Sequence, residues 1–262
     1  MTVVIDNHSF VKGLAAAKVM AYAGADDPTH AAVVLASTRV ETDGPGTQNS
    51  LAFIASDGAS PGQAIFACDG ELKPVKFSTD QAAQLLAAAK GAVSAVRKTD
   101  KEAECGVELS VVDGGATLRM RTLTDGHPGD ADSRHFIPLQ DIEDFPMVST
   151  ISRLSARGAK EVLGSRGQGD EQVNAPLNSG NVQSFTADVI KKMSAIAAVF
   201  KEPVELYTRE HPASLVTLTC AGVFRAVLAA HAYSPDLDVT DPEVPVAESL
   251  IGDDSGAGAD AA

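Results

Sequence analysis

The chain repeats one unit, a strand, a helix and three further strands, and this repetition constrains its fold more than any other feature. Val3-Val4-Ile5 is a short β-like run. The next segment places Phe10, Leu14 and Ala17 on one helical face, and Asn7 is the expected helix cap. Three strand candidates follow, separated by Asp-Gly turns: Ala31 to Thr42, Ser50 to Ser56 and Ala64 to Cys68.

The same order begins again at Val75-Lys76-Phe77. A helix opened by Thr79 or Asp80 then carries an apolar stripe, which consists of Leu86, Ala89, Val93 and Val96. The strands predicted after this helix are Cys105 to Val112, Ala116 to Thr124 and His135 to Leu139. We therefore expect residues 1–145 to form a first domain of two units.

A third unit lies near the end of the chain. Its predicted strand is Val182 to Phe185, and its helix carries the stripe Val189, Met193, Ile196 and Phe200. The strands predicted after it are Glu202 to Thr208, Leu215 to Cys220 and Phe224 to Ala229. Between Met147 and Asn181 a helix such as Leu154 to Leu163 fits, but three strands of about five residues do not.

These units predict an α+β fold of repeated β-α-β-β-β units, with antiparallel sheets outside and helices lining one face. The second domain, residues 146–233, has a shortened first unit and a second unit at 182–233. Residues 234–262 are rich in Pro, Gly, Ala and Asp, and we expect a disordered acidic tail there. The tail holds eight acidic residues and no basic one, so the net charge of -14 becomes -6 for residues 1–233. That mild acidity is compatible with a locally basic face.

Several classes of protein are disfavoured by what the sequence contains. No apolar run approaches the roughly 18 residues of a membrane span, and MTVVIDNHSF does not read as a secretory signal, so we expect a cytoplasmic protein without a membrane partner. Cys68, Cys105 and Cys220 are far apart, and the histidines show no metal-ligand spacing. No GxSxG, GxxxxGK[ST], GxGxxG or HExxH motif occurs. We therefore predict no catalytic residue, no metal and no cofactor.

Three stretches resemble the DNA sliding clamps, both the β subunit of bacterial DNA polymerase III and the proliferating cell nuclear antigen of eukaryotes. VVLASTRVETDGPGTQNSLAFIASDG, residues 33–58, is similar to their strand, acidic-Gly turn and strand pattern. FIPLQDIEDFP, residues 136–146, looks like the end of a bacterial clamp domain. Residues 184–230, which begin SFTADVIKKM, resemble the closing helix and three strands of both clamp types. The short segment between Met147 and Asn181 departs from that pattern and leaves ring closure open.

The resemblance implies a processivity factor that encircles duplex DNA without reading its sequence and tethers a DNA polymerase. The helices of such a clamp line a central hole, so their outward Lys and Arg side chains would meet phosphates. The residues expected to do so here are Lys12, Lys18, Lys90, Arg97, Lys98, Lys191, Lys192 and Lys201. Arg153, Arg157, Lys160 and Arg166 form a further basic cluster, which is either another DNA contact or an exposed loop.

The resemblance also implies a pocket for short peptide motifs of the polymerase and the clamp loader. The apolar residues expected to form it lie on the connector between the two predicted domains and at the end of the last strand. They are Leu139, Ile142, Phe145 and Met147 of the connector and Leu228, Tyr233 and Pro235. Simple packing of the connector onto a sheet is the alternative for these residues. By analogy with two-domain clamps, a homo-oligomer is expected, a trimer before a dimer, associated with the nucleoid or with a viral host's cytoplasm.

Three other functions remain open from the sequence. The chain could be a clamp-like scaffold that binds proteins without encircling DNA. Its net negative charge and its short third unit favour this function. It could be a plain oligomeric structural protein, or an enzyme that any measured turnover would reveal.

Overall fold

The computed structural model describes residues 2–24, 26–41, 46–128, 134–155, 185–208, 215–229, 246–247 and 250. In this part of the chain there are four α-helices: α1 (Asn7–Met20), α2 (Thr79–Thr99), α3 (Met147–Leu154) and α4 (Ala187–Phe200). The strands are β1 (Thr2–Asp6), β2 (Ala32–Glu41), β3 (Thr47–Ser56), β4 (Pro61–Ala67), β5 (Asp69–Gly70), β6 (Val75–Ser78), β7 (Cys105–Val112), β8 (Thr117–Thr124), β9 (His127–Pro128), β10 (Arg134–Pro138), β11 (Val204–Thr208), β12 (Leu215–Cys220) and β13 (Phe224–Ala229). None of the described helices has the length and apolar character needed to cross a membrane.

The strands form two antiparallel sheets, and the first two units exchange their first strands between them. Sheet A has the order β10-β8-β7-β1-β5, with β9 beside β8, and sheet B has the order β11-β12-β13-β4-β3-β2-β6. Strand β1 of the first unit thus pairs with β7 of the second, with Ile5 opposite Val107. Strand β6 of the second unit pairs with β2 of the first, with Val33 opposite Phe77. The predicted units are present, and the exchange locks them into one body.

Helix α1 is capped by Asp6, one residue before the cap that the sequence predicted. Both carboxylate oxygens of Asp6 accept backbone hydrogen bonds, from His8 N at 3.2 Å and from Ser9 N at 2.7 Å. Asn7, which the sequence analysis expected to be the cap, is instead the first helical residue, and its buried Nδ2 donates to the backbone oxygen of Ala89 on α2. The cap prediction was wrong because the neighbouring Asp6 has the extended backbone that a cap needs.

Helix α2 is capped by a reciprocal pair of hydrogen bonds. Gln81 N donates to the Ser78 hydroxyl at 3.2 Å, and Ser78 N donates to the Gln81 side chain at 2.8 Å. This capping box makes Thr79 the first helical residue and places Asp80 in the first turn, where a carboxylate favours the positive end of the helix. The predicted start at Thr79 or Asp80 was therefore correct to within one residue, although neither residue is the cap.

The main core lies between the two sheets and helices α1, α2 and α4. We call it the inner cluster, and its largest side chains include Phe10, Phe53, Phe77 and Phe224. Helix α1 supplies Phe10, whose ring meets Phe53 of β3 edge to face at 5.8 Å between centroids. Gly13 of α1 lies so close to the same ring that an added Cβ would fall 2.4 Å from it. A glycine at this position lets α1 approach sheet B closely, which is why the helix is buried along most of its length.

The C-terminal unit extends sheet B rather than forming a separate sheet. Strand β13 pairs with β4, with Phe224 opposite Ala64 and Arg225 opposite Gln63, and we call this junction the seam. Helix α4 packs on β11, β12 and α1, as its stripe of Val189, Ile196 and Phe200 predicted. The third unit is therefore joined to the first by main-chain hydrogen bonds as well as by its core.

The connector between the units contains a helix that lies earlier than predicted. Helix α3 ends at Leu154, and Ser155 after it is extended, so the predicted helix start at Leu154 was wrong. The helix begins at Met147 after Pro146, a residue whose fixed φ suits a helix entry. Residues 156–163 of that prediction lie outside the described residues, and of the predicted strand at 182–185 only Phe185 is described, in no strand.

Candidate nucleic-acid interface and outer groove

Helices α1, α2 and α4 lie side by side, and α1 contacts both of the others. We call these three helices the helix layer. Two carboxylates, Asp80 and Asp188, lie within these helices, and their caps add Asp6, Asp100 and Lys201. The cations within the helices are Lys12, Lys18, Lys90, Arg97, Lys98, Lys191 and Lys192. In a chain with a formal net charge of -14, the helix layer is thus strongly cationic.

Most of these cations project freely from the layer. Lys18, Lys90, Arg97, Lys98 and Lys201 are exposed, and none of them forms an ion pair with another residue in the described ranges. Lys90 and Arg97 line the same open cleft of about 890 Å³, which lies where the end of α2 meets the start of α1. Unpaired and hydrated cations of this kind can contact phosphates without first losing a partner.

Three predicted cations have partners within the chain. Lys12 is half-buried, with its Nζ 5.9 Å from the centroid of the Phe200 ring. Lys191 lies 3.5 Å from Asp188 one turn earlier, and both side chains are exposed, so this pair is weak. Lys192 forms an ion pair with Asp57, and these two side chains are mostly buried.

The turn that holds Asp57 connects β3 to β4 at the end of the helix layer. Burial opposes ionisation of Asp57, but the Lys192 ammonium and the backbone N–H groups of Ser60 and Ala59 outweigh it and hold the pKa of this carboxyl below its ordinary value. Arg153 of α3 donates to the backbone oxygens of Gly58 and Ala59 in the same turn. Arg157, Lys160 and Arg166 of the predicted basic cluster lie outside the described residues.

The cleft beside α2 also contains two thiols. Burial, together with the nearby Asp69, raises the pKa of Cys68 to about 11, and burial raises the pKa of Cys105. Both thiols are therefore protonated at neutral pH and are poor nucleophiles. Among the described residues, no group of three His, Cys, Asp or Glu side chains is arranged to hold a metal ion.

A second apolar cluster lies on the opposite face of sheet B, where α3 and the connector cover the strands, and we call this buried contact the outer groove. Phe145 of the connector is 4 % exposed and packs there with Ile151 and Leu154 of α3. Ile142 and Met147 pack at its edge and are half-buried. The floor comes from the outward residues of four neighbouring strands: Val34, Ala52, Ile54, Ile65 and Val227.

The structure divides the predicted peptide pocket between the two faces of the sheet. Ile142, Phe145 and Met147 meet in the outer groove, whereas Leu139 and Leu228 contact the inner cluster. Leu228 follows the groove residue Val227, and successive strand residues point to opposite faces. Tyr233 and Pro235 lie outside the described residues.

Sequence reasoning missed three residues of the groove, all from the acidic tail that was expected to be disordered. Ala247 is fully buried in the outer groove, and Val246 and Leu250 pack beside it. The signal was the short apolar spacing of Val246, Ala247 and Leu250, which the surrounding Asp and Glu residues masked. One helical turn with this spacing presents its apolar residues on one side.

Comparison with known proteins identifies the fold. No protein-family model matches the sequence, and no curated protein matches it. The structure is similar to the DNA polymerase sliding clamp of Caulobacter crescentus, with a TM-score of 0.51 and 14 % identity over 90 % of this chain and 67 % of the clamp. The chain adopts the DNA sliding-clamp fold. The β subunit of Thermotoga maritima DNA polymerase III gives a TM-score of 0.50 and 11 % identity over 90 % of this chain and 66 % of that one. The β chain of Streptococcus pneumoniae DNA polymerase III gives a TM-score of 0.50 and 10 % identity over 90 % of this chain and 67 % of that one.

The chain thus spans about two thirds of the length of those clamps. The predicted α+β class, the repeated units and the resemblance to sliding clamps are confirmed. At these identities the likeness fixes the fold, while the function depends on what the side chains of this chain can do.

Proposed function

We propose that this protein is a sliding-clamp-like processivity factor, which encircles duplex DNA and tethers a DNA polymerase to it without catalysing a reaction. The observation that carries the proposal is the cationic helix layer within an acidic chain of sliding-clamp fold. Like charges on one face repel one another. Here five exposed cations of the layer have no carboxylate partner in the described ranges. A polyanion is the chemical class that such a face fits.

The chemistry of the layer favours contacts to the DNA backbone over contacts to bases. Lysine predominates on it, and a lysine ammonium is a point charge that binds phosphate without the planar fork of arginine. Each phosphate contact releases counterions, so binding should weaken steeply with salt. Such contacts suit a protein that is retained by encirclement and can move along the duplex.

The candidate DNA contacts fall into two groups. The exposed residues Lys18, Lys90, Arg97, Lys98 and Lys201 are proposed as the main contacts, together with Lys191, whose pair with Asp188 is exposed. Lys12 and Lys192 are proposed to act through long-range attraction, because each has a partner within the chain. No base-specific contact is required of any of them.

The outer groove is proposed as the docking surface for short apolar peptides of a polymerase and a clamp loader. It faces away from the helix layer across sheet B, so a partner could dock while the layer contacts DNA. Ile142, Phe145 and Met147 are the connector residues that would touch the peptide, with the floor of Ile65 and Val227 beneath them. Peptides that dock in this manner insert a few apolar anchors into a groove.

Encirclement needs more than one copy of a chain of this length. We propose a homo-oligomeric ring, a trimer before a dimer, in which sheet edges of neighbouring copies pair. A clamp-like scaffold that binds proteins but does not encircle DNA is the alternative, favoured by the net charge of -14.

Retention on DNA separates these two functions. The protein, loaded or mixed with primed duplex, should remain bound to closed circular DNA at salt that removes it from linear DNA of the same sequence. Lys90→Glu with Arg97→Glu should abolish that retention and leave the oligomer intact. Arg39→Glu with Lys73→Glu, which makes the same change in net charge on exposed residues outside the helix layer, is the matched control. An equal loss of DNA retention in both double variants, or equal retention of the unmodified protein on circular and linear DNA, would favour the scaffold.

A further inference from the structure

The outer groove is partly filled by the chain's own C-terminal segment. Ala247 has no exposed surface, and its backbone N–H donates to Oε1 of Gln63, 3.4 Å away. The Gln63 side chain is itself fully buried. Val246 and Leu250 pack against the same apolar cluster, and Leu250 N donates to the backbone oxygen of Ala247 at 3.1 Å. The segment is therefore docked by apolar burial together with a hydrogen bond from its main chain to the Gln63 side chain.

The docking position is at the seam between the two halves of the molecule. Gln63 of β4 faces Arg225 of β13 across it, and Ala247 binds this same Gln63. Helix α3 contacts both strands of the seam and forms a wall of the groove. The segment thus occupies the middle of the surface proposed for partner peptides, and its neighbours include Phe145.

We propose that Val246, Ala247 and Leu250 are an intramolecular ligand of the outer groove, and that a partner's peptide docks by displacing them. This inference rests on the proposed function only in taking the groove for the peptide-docking surface. The occupant also indicates which peptide chemistry the groove accepts. A ligand should carry an apolar residue, a small residue next to it, and a second apolar residue one helical turn after the first, with a free N–H that reaches Gln63.

Attachment to the same chain makes even a weakly binding segment an effective ligand. Two sites within one molecule typically meet at an effective concentration on the order of 1 mM. If the segment alone binds with a Kd of roughly 100 µM, the groove is occupied about ten times as often as it is open, and a competing peptide binds about tenfold more weakly. The groove would then select for partners that bind more tightly than the chain's own segment.

The test measures binding of a fluorescein-labelled peptide with the sequence of residues 242–252, PEVPVAESLIG, to the full chain by anisotropy. Ala247→Asp places a carboxylate at a buried position that now holds a methyl group, and the substitution should release the docked segment. The peptide should bind this variant about tenfold more tightly than the unmodified chain. Ala257→Asp adds the same charge to the same tail and should leave the affinity unchanged.

Hydrogen exchange of the unmodified chain provides a second readout, which does not depend on whether a variant folds. The Ala247 amide should be protected, and an excess of the unlabelled peptide should remove the protection. Exchange of that amide at the rate of an unfolded peptide, or equal peptide affinity in Ala247→Asp and the unmodified chain, would overturn the intramolecular ligand. DNA retention is measured separately, so its failure would contradict the proposed clamp function without altering either result.

Discussion

Lys192 of α4 and Asp57 of the turn between β3 and β4 form an ion pair that connects the C-terminal unit to the first unit. The side chains are 17 % and 23 % exposed, so the pair is screened less by solvent than a surface pair would be. The Asp57 carboxylate also accepts hydrogen bonds from Ala59 N and Ser60 N. One carboxylate therefore organises its own turn and holds the neighbouring helix.

Asp57→Asn should remove the ion pair while the amide oxygen keeps the turn's hydrogen bonds. Because the pKa of Asp57 is lowered in the folded state, its contribution to stability is present above the unfolded value of about 3.9 and is lost as the pH falls through the folded value. We expect the free energy of unfolding to drop by about 2 kcal/mol at pH 7, because Lys192 is left unpaired, and to drop by less near pH 3. Urea unfolding at the two pH values measures both differences.

The control for this substitution is Asp141→Asn. Asp141 is an exposed carboxylate that accepts only a local bond, from Glu143 N at 3.0 Å among the described residues, and its replacement should change stability little at either pH. An equal loss for Asp57→Asn at pH 7 and pH 3 would mean that the ion pair does not supply the stability.

Local periodicity predicted most of the elements, and long-range pairing decided the rest. The strand at Ser50 to Ser56 and the helical stripe from Val189 to Phe200 were predicted from residues within one element, although β3 is buried on both faces. The exchange of β1 and β6 between sheets depends on which distant strands meet, and nothing within either strand encodes that choice. A repeated unit therefore predicted its own strands but not their partners.

The candidate sites divide in the same manner. The helix-layer cations followed from the sequence because each lies off an apolar stripe, but the ion pair of Lys192 with Asp57 joins positions that are distant in the sequence. The separation of Leu228 from Phe145 followed from strand alternation once the sheet was known. The docking of Ala247 could not be predicted, because an acidic, Pro- and Gly-rich composition indicates disorder until a groove is present to bury three apolar residues.

Gly13→Ala tests the close approach of α1 to sheet B. The added methyl group would fall 2.4 Å from a ring carbon of Phe53, a ring that Phe10 and Phe66 also contact. Overpacking of this kind costs about 1–3 kcal/mol, which should appear as a lower midpoint of urea unfolding. Gly91→Ala in α2, where nothing lies within 4 Å, should instead raise stability by up to about 1 kcal/mol. The opposite order of the two variants would contradict the described helix packing.

Strand β10 is the expected contact between copies of the chain. It is an edge strand of sheet A: one side pairs with β8, and its outer edge pairs with no described strand. Phe136 on this strand is 57 % exposed, so it would lie against a neighbouring copy that pairs with this edge. Phe136→Glu should shift the mass in solution toward the monomer at low micromolar concentration, as measured by light scattering. Val148→Glu, a change at a similarly exposed residue on α3, should leave the mass unchanged.

Ile142→Ser should weaken peptide docking without loss of DNA retention. Ile142 is half-buried at the edge of the outer groove, so its replacement removes apolar contact area while leaving the floor intact. We expect about a tenfold loss of affinity for an apolar peptide in the Ala247→Asp background, where the groove is open, and unchanged retention on circular DNA. Phe145→Ala is less suitable because Phe145 is 4 % exposed and its truncation costs about 3–5 kcal/mol of stability. Loss of both activities in Ile142→Ser would indicate unfolding of the connector.

The salt dependence of DNA binding counts the phosphate contacts of the helix layer. For duplex DNA the slope of log K against log salt concentration is about -0.9 for each phosphate neutralised. Lys90→Gln with Arg97→Gln removes two proposed contacts without adding negative charge, so the slope should become about 2 units shallower. The affinity of short duplexes of different sequence should fall by the same factor, since backbone contacts carry no sequence information. Anisotropy of labelled duplexes from 50 to 200 mM salt measures both quantities. A weaker affinity with an unchanged slope would mean that these two residues act through folding or assembly, and that the phosphates meet other cations of the layer.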